Sequence, residues 1–179
     1  NLLTAATAGF DKATGSDPSW AFAWYQLGRC RLLSNDWIGA QAAFSKCIEL
    51  NGGLIDAHLG IASAYYGMGN YKESIIEYQK IISFDNNDAA AYAGMGLARA
   101  ASGKTKDGLR DIERATQLKP DSGLPHLNLG IVYSKSRKKK ERETGIAELK
   151  TAIEKNSTGL EFPNRTAQAL LSELEGDKK

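Results

Sequence analysis

The chain has 179 residues, 42% hydrophobic and 25% charged, proportions that suit a folded protein with a sizeable core and exclude global disorder. No uncharged stretch approaches the roughly 18 apolar residues of a membrane span, so none is expected. The net charge of +2 conceals a local imbalance: Lys135, Arg137, Lys138, Lys139, Lys140 and Arg142, set against Glu141 and Glu143, contribute +4 and leave the remainder at −2. Most of the surface therefore has no field that would draw nucleic acid.

Small and apolar residues recur at helical spacing in blocks 34 residues apart, most openly from Ala89 to Asp121, where they break at Ser102-Gly103-Lys104 and resume until Pro120. One supersecondary unit is repeated. Frames opened at Ala21, Ile55, Ala89 and Gly123 bring the blocks into register. In chain order, residues 1–20 read as the second helix of a truncated repeat, with Ala6, Phe10 and Ala13 on one stripe and Pro18 closing it. Repeats follow at 21–54, 55–88, 89–122 and 123–159, the last carrying three extra residues. Residues 160–179 read as a capping helix and tail, with Ala167, Leu170, Leu171 and Leu174 forming an apolar stripe after Pro163. Beginning on Asn1 rather than methionine, the chain reads as a processed form or an excised fragment, and its start in mid-repeat is expected to mean further solenoid upstream or a frayed remnant; its compartment is left open.

Within the frames, the eighth position holds Gly28, Ala62, Gly96 and Gly130, and the twentieth Ala40, Ser74, Gly108 and Gly145. A glycine inside a helix costs about 1 kcal/mol relative to alanine, so its recurrence predicts two helices in close approach at these positions. Larger residues fill the fourth (Trp24, His58, Tyr92, His126), the seventh (Leu27, Ile61, Met95, Leu129) and the twenty-fourth (Phe44, Tyr78, Ile112, Leu149). The turns at Ser34-Asn35-Asp36, Gly67-Met68-Gly69-Asn70 and Ser102-Gly103-Lys104 carry residues that stop helices or tolerate positive φ.

The pattern resembles the tetratricopeptide repeat, whose small, aromatic and proline positions match Trp24-Tyr25-Gln26-Leu27-Gly28, Ala64-Tyr65-Tyr66, Gly69-Asn70-Tyr71 and Pro120 over about residues 2–156. Arg31 and Arg99 depart from it, standing where an aromatic is usual. The resemblance implies an all-α, right-handed superhelical solenoid of antiparallel helix pairs with a C-terminal capping helix. It also implies that the first helices line a concave groove where a protein or peptide partner binds. Matching positions make the candidate groove Tyr25, Gln26, Arg29, Leu59, Gly60, Ser63, Tyr66, Ala93, Gly94, Leu97, Leu127, Asn128 and Ile131. A carboxylate clamp of the kind that grips chaperone tails is not expected, because the fifth and ninth positions lack its lysine and asparagine. Gly60 and Gly94 are expected to open a depression in an apolar centre, with Gln26 and Asn128 offering hydrogen bonds at its flanks.

Motifs that could carry chemistry read otherwise. Ala98 to Thr105 has the spacing of a phosphate-binding loop, but it continues a helix into an inter-helical turn where that chemistry needs a preceding strand. His58 and His126 sit in equivalent positions two units apart, without ligand spacing around either, so they read as packing residues and no metal is expected. Cys30 and Cys47, about 10 Å apart along paired helices by the helical rise, read as buried free thiols, too distant for a disulfide. Asn156-Ser157-Thr158 and Asn164-Arg165-Thr166 fit glycosylation acceptors and set no compartment. The basic run reads first as a solvated lengthened turn; otherwise Lys138, Lys139 and Lys140 are the candidate contact for an acidic partner, anionic lipid or RNA, the last weakened because no aromatic residues interleave with the charges. The expected function is a non-catalytic scaffold or adaptor without cofactor, taking an apolar peptide or amphipathic helix in the groove. The alternatives are a self-associating homo-oligomer that organises an assembly, or the recruiting domain of a larger enzyme.

Overall fold

The computed structural model describes residues 2–51, 53–155 and 161–176. Among them are ten helices and no strand: α1 (Leu2–Ser16), α2 (Ala21–Leu33), α3 (Trp37–Leu50), α4 (Ile55–Gly67), α5 (Tyr71–Phe84), α6 (Ala89–Ala101), α7 (Thr105–Leu118), α8 (Gly123–Ser134), α9 (Lys139–Lys155) and α10 (Glu161–Gly176). The fold is an all-α helical repeat. Its residues gather into two compact units, Asn1–Phe84 with α1 to α5 and Asp85–Lys179 with α6 to α10.

Local chemistry sets the helix ends. Asp36 accepts the Gly39 amide at 2.9 Å and Asp88 the Ala91 amide at 2.7 Å, capping α3 and α6, while Ser122 accepts the Leu124 amide at 3.3 Å ahead of α8. Positive φ occurs at Asn35 (60°), Gly69 (79°) and Gly103 (91°), each the fifteenth residue of its frame. One left-handed residue reverses the chain between two helices in three frames. Arg137, the fifteenth residue of the last frame, does not adopt positive φ. There the turn is a residue longer and α9 reaches 17 residues where α3, α5 and α7 have 14, so the insertion lengthens the helix more than the loop.

Close approach at the eighth and twentieth positions is present in each unit. In the first, Ser74 Oγ donates to the Ala62 carbonyl at 2.8 Å, both residues being buried. In the second, a Cβ added at Gly96 would lie 2.6 Å from the Gly108 carbonyl oxygen, and one added at Gly130 would lie 2.5 Å from Leu149. The large residues Leu27, Phe44, Ile112 and Leu149 are all but fully buried. Phe44, Cys47, Ala57 and Ile61 centre the core of the first unit. Cys30 and Cys47 are buried and unpaired, and burial pushes the Cys47 thiol up.

Two arginines stand where the repeat pattern usually has an aromatic. Arg31 Nη2 meets Asp11 on α1 at 2.8 Å and its Nη1 donates to the Gly39 carbonyl at 3.2 Å. Arg99 Nη1 reaches both Asp111 oxygens, at 2.9 and 2.7 Å. Each guanidinium joins neighbouring helices by charge as well as by contact.

Helix α10 begins at Glu161, so Pro163 lies inside the first turn, where its missing amide is tolerated. Ala167, Leu170, Leu171 and Leu174 pack on Leu127, Leu149 and Ala152, and Lys150 pairs with Glu175 at 3.1 Å. This helix covers the apolar edge of α8 and α9. The Asn156 acceptor triplet and the tail beyond Gly176 lie outside the described residues.

Candidate functional site

In the first unit the candidate residues lie along α2 and α4. Tyr25, Gln26 and Arg29 are half-buried on α2, and the Tyr25 ring lies 5.9 Å from that of Phe44. The Arg29 guanidinium stands 5.8 Å from the Tyr25 ring centre and donates to Gln26 Oε1 at 3.1 Å, and among the described residues its other N–H donors meet no further acceptor. On α4, Leu59, Ser63 and Tyr66 are half-buried. Ser63 Oγ donates to the Leu59 carbonyl at 2.9 Å and lies 3.2 Å from the Tyr78 hydroxyl. Burial raises the Tyr25 and Tyr66 phenols, and pushes Tyr78 up to about 12. This face is amphipathic.

Gly60 corrects the expected depression. It is buried, and a Cβ on it would collide with the Phe44 ring, while one on Gly28 would lie 2.8 Å from the same ring. Phe44 thus projects from α3 into the space between α2 and α4, and both glycines are there to admit it. Counting positions put Gly60 toward the groove; the reach of a phenyl ring from the next helix puts it in the core.

Sequence reasoning missed Trp20. It precedes α2 with no side-chain capping bond, although Asp36, Asp88 and Ser122 cap their helices. Its ring lies 6.1 Å from Phe22, and the two are 48% and 53% exposed. An aromatic in a capping position was the available signal.

In the second unit Gly94 and Leu97 on α6 and Ile131 on α8 are half-buried. Ala93, Leu127 and Asn128 are not open to a ligand, being 0%, 7% and 3% exposed. Leu127 belongs to the cluster that α10 covers. Asn128 Nδ2 donates to the Ala93 carbonyl at 2.9 Å, so the amide expected at the groove's flank joins α8 to α6.

The remaining motifs fall into place locally. Ser102, Gly103 and Lys104 form the turn between α6 and α7. His58 Nδ1 lies 3.7 Å from Glu77, and His126 Nδ1 lies 2.7 Å from Glu148, the same two frame positions in both cases. No group of three His, Cys, Asp or Glu side chains able to hold a metal occurs among the described residues. All three of the basic trio are exposed, and Lys138 Nζ pairs with Glu141 at 2.8 Å. No helix among the described residues is long and apolar enough to cross a membrane.

A tetratricopeptide-repeat family model matches residues 55–88, the α4–α5 pair. That pair is a tetratricopeptide repeat, and the chain has the fold of tetratricopeptide-repeat proteins. It is 26% identical over 150 residues to a CTR9 homolog of Arabidopsis thaliana, covering 83% of this chain and 14% of that protein. The chain spans only 6% to 14% of the length of the curated relatives it matches. Among solved structures, a tetratricopeptide repeat protein from Parabacteroides merdae superposes with a TM-score of 0.78 at 22% identity, covering 97% of this chain and 65% of that one. YrrB, described as a TPR protein with an unusual peptide-binding site, gives 0.56 at 22% identity over 94% and 83% of the two chains. Tetratricopeptide-repeat proteins are generally protein-interaction scaffolds.

Proposed function

We propose that this chain is a non-catalytic scaffold that holds a segment of a protein partner against α2 and α4. The observation that carries this reading is the half-buried row of Tyr25 and Arg29 on α2 with Leu59, Ser63 and Tyr66 on α4. Flat aromatic surface supplies contact area at low conformational cost, and the remaining donors of Arg29 supply direction. An amphipathic helix or extended peptide fits, its apolar residues against Tyr25, Leu59 and Tyr66 and its polar groups toward Arg29 and Ser63. In the second unit Gly94, Leu97 and Ile131 offer a smaller apolar face. The peptide-binding site of YrrB, on the same fold, supports a peptide as the class of ligand.

A peptide-display selection on the whole chain tests this. An enriched peptide, titrated against the wild type, Arg29→Glu and Leu97→Glu, should lose at least about 10-fold in affinity with Arg29→Glu, roughly 1.4 kcal/mol. Equal binding by both folded variants would remove the assignment. Loss with Leu97→Glu alone would move the site to the second unit.

A further inference from the structure

The turn between α8 and α9 is a built structure with its cations sorted into two kinds. Glu141 is its hub, accepting the Ser136 hydroxyl at 2.6 Å and Lys138 Nζ at 2.8 Å. The Ser136 hydroxyl in turn accepts the Lys138 amide at 3.1 Å. Arg142 Nη1 donates to the Ser136 carbonyl at 3.1 Å and the Arg137 carbonyl at 3.0 Å. The hydrogen bonds from Lys138 and Ser136 hold the Glu141 carboxyl below its usual range, and the bond to Glu141 raises the Lys138 ammonium. Lys138 and Arg142 are therefore engaged in holding the loop.

Lys135, Arg137, Lys139 and Lys140 are exposed, and none of them joins an ion pair among the described residues. Folding does not account for them. Lys139 and Lys140 open α9, where the helix dipole favours carboxylates and disfavours ammonium groups, and four like charges within six residues repel one another. A ligand of opposite charge would relieve both penalties.

We propose that Lys135, Arg137, Lys139 and Lys140 form a docking site for an acidic protein segment, a short run of Asp and Glu side chains. Charge complementarity on a loop already held in shape selects the ligand. Two features favour carboxylates over a nucleic acid. No aromatic residue occurs in 134–142 to stack a base, and the rest of the chain, at −2, would repel a longer polyanion. The site lies on the turn between α8 and α9 and the start of α9, shares no residue with the α2 and α4 face, and its test does not depend on that reading.

The test uses the full chain and a fluorescent decapeptide of glutamate, read by anisotropy at low and moderate salt. Replacing all four residues by alanine should weaken binding by at least about 10-fold, and wild-type binding should fall as salt screens the charges. Removing four exposed cations elsewhere, Lys12, Lys72, Lys106 and Arg114, should change it less than about threefold, as expected for charges outside the contact. Lys139→Glu with Lys140→Glu separates binding from folding: carboxylates suit the start of α9, so the thermal midpoint should rise while peptide binding is lost. Equal losses in the two alanine variants, no binding by the wild type at low salt, or tighter binding of a single-stranded oligonucleotide of equal charge would each overturn the proposal.

Discussion

Gly96 and Gly108 stand backbone to backbone across α6 and α7: a Cβ on either would run into the carbonyl oxygen of the other. Peptide groups cannot step aside as a flexible side chain can, so this contact fixes how closely the two helices lie.

Gly108→Ala should therefore destabilise the chain by about 2 kcal/mol, although alanine is the better helix former by about 1 kcal/mol. Gly9, in α1 with nothing within 4 Å of its would-be Cβ, supplies the contrast. Gly9→Ala should stabilise by about 0.5–1 kcal/mol. Urea titration of both variants checks the opposite signs.

Gly103 has φ 91° and open space around it, so conformation alone sets the effect of a side chain there. Gly103→Ala should cost about 1 kcal/mol. Asn35, already left-handed at φ 60°, should accept glycine with a change within about 0.5 kcal/mol. The same urea titrations measure both.

Asn128→Asp exchanges the amide that donates to the Ala93 carbonyl for a group that only accepts when ionised. A loss of about 2–3 kcal/mol is expected, because a buried charge would face a carbonyl oxygen. Thermal unfolding at neutral and acidic pH should show the variant least stable relative to wild type at neutral pH, where the carboxylate is charged.

The Tyr78 phenol stays protonated in the folded chain up to about 12, against 10.0 when unfolded, because burial disfavours its anion. Its contribution is whole below pH 10 and declines as pH rises from there toward 12, since the unfolded chain releases the proton first. The decline is on the order of 2 kcal/mol. Tyr78→Phe should flatten the alkaline fall in stability measured by urea titration between pH 9 and about 11.5. An unchanged slope would mean that the phenol is hydrated.

Much of the fold was legible because its determinants are local and periodic. Glycine inside helices at Gly96, Gly108, Gly130 and Gly145 signals close contact, since nothing else offsets its cost, and Asn35, Gly69 and Gly103 signal a left-handed residue at one recurring place. The face was harder to read. Gly60 has the same local surroundings as any helical glycine, and only the Phe44 ring from α3 makes it a packing residue. Asn128 reads as a surface amide until the Ala93 carbonyl, 35 residues away, comes within 2.9 Å. The partners of Arg31 and Arg99 were hidden because side-chain reach across helices leaves no period in the sequence.

Amide hydrogen exchange over the whole chain, with and without a saturating display-selected peptide, tests the proposed face most directly. The account predicts slowed exchange in α2 and α4, with α9 unchanged. Protection confined to other helices, or no change anywhere at saturation, would contradict it.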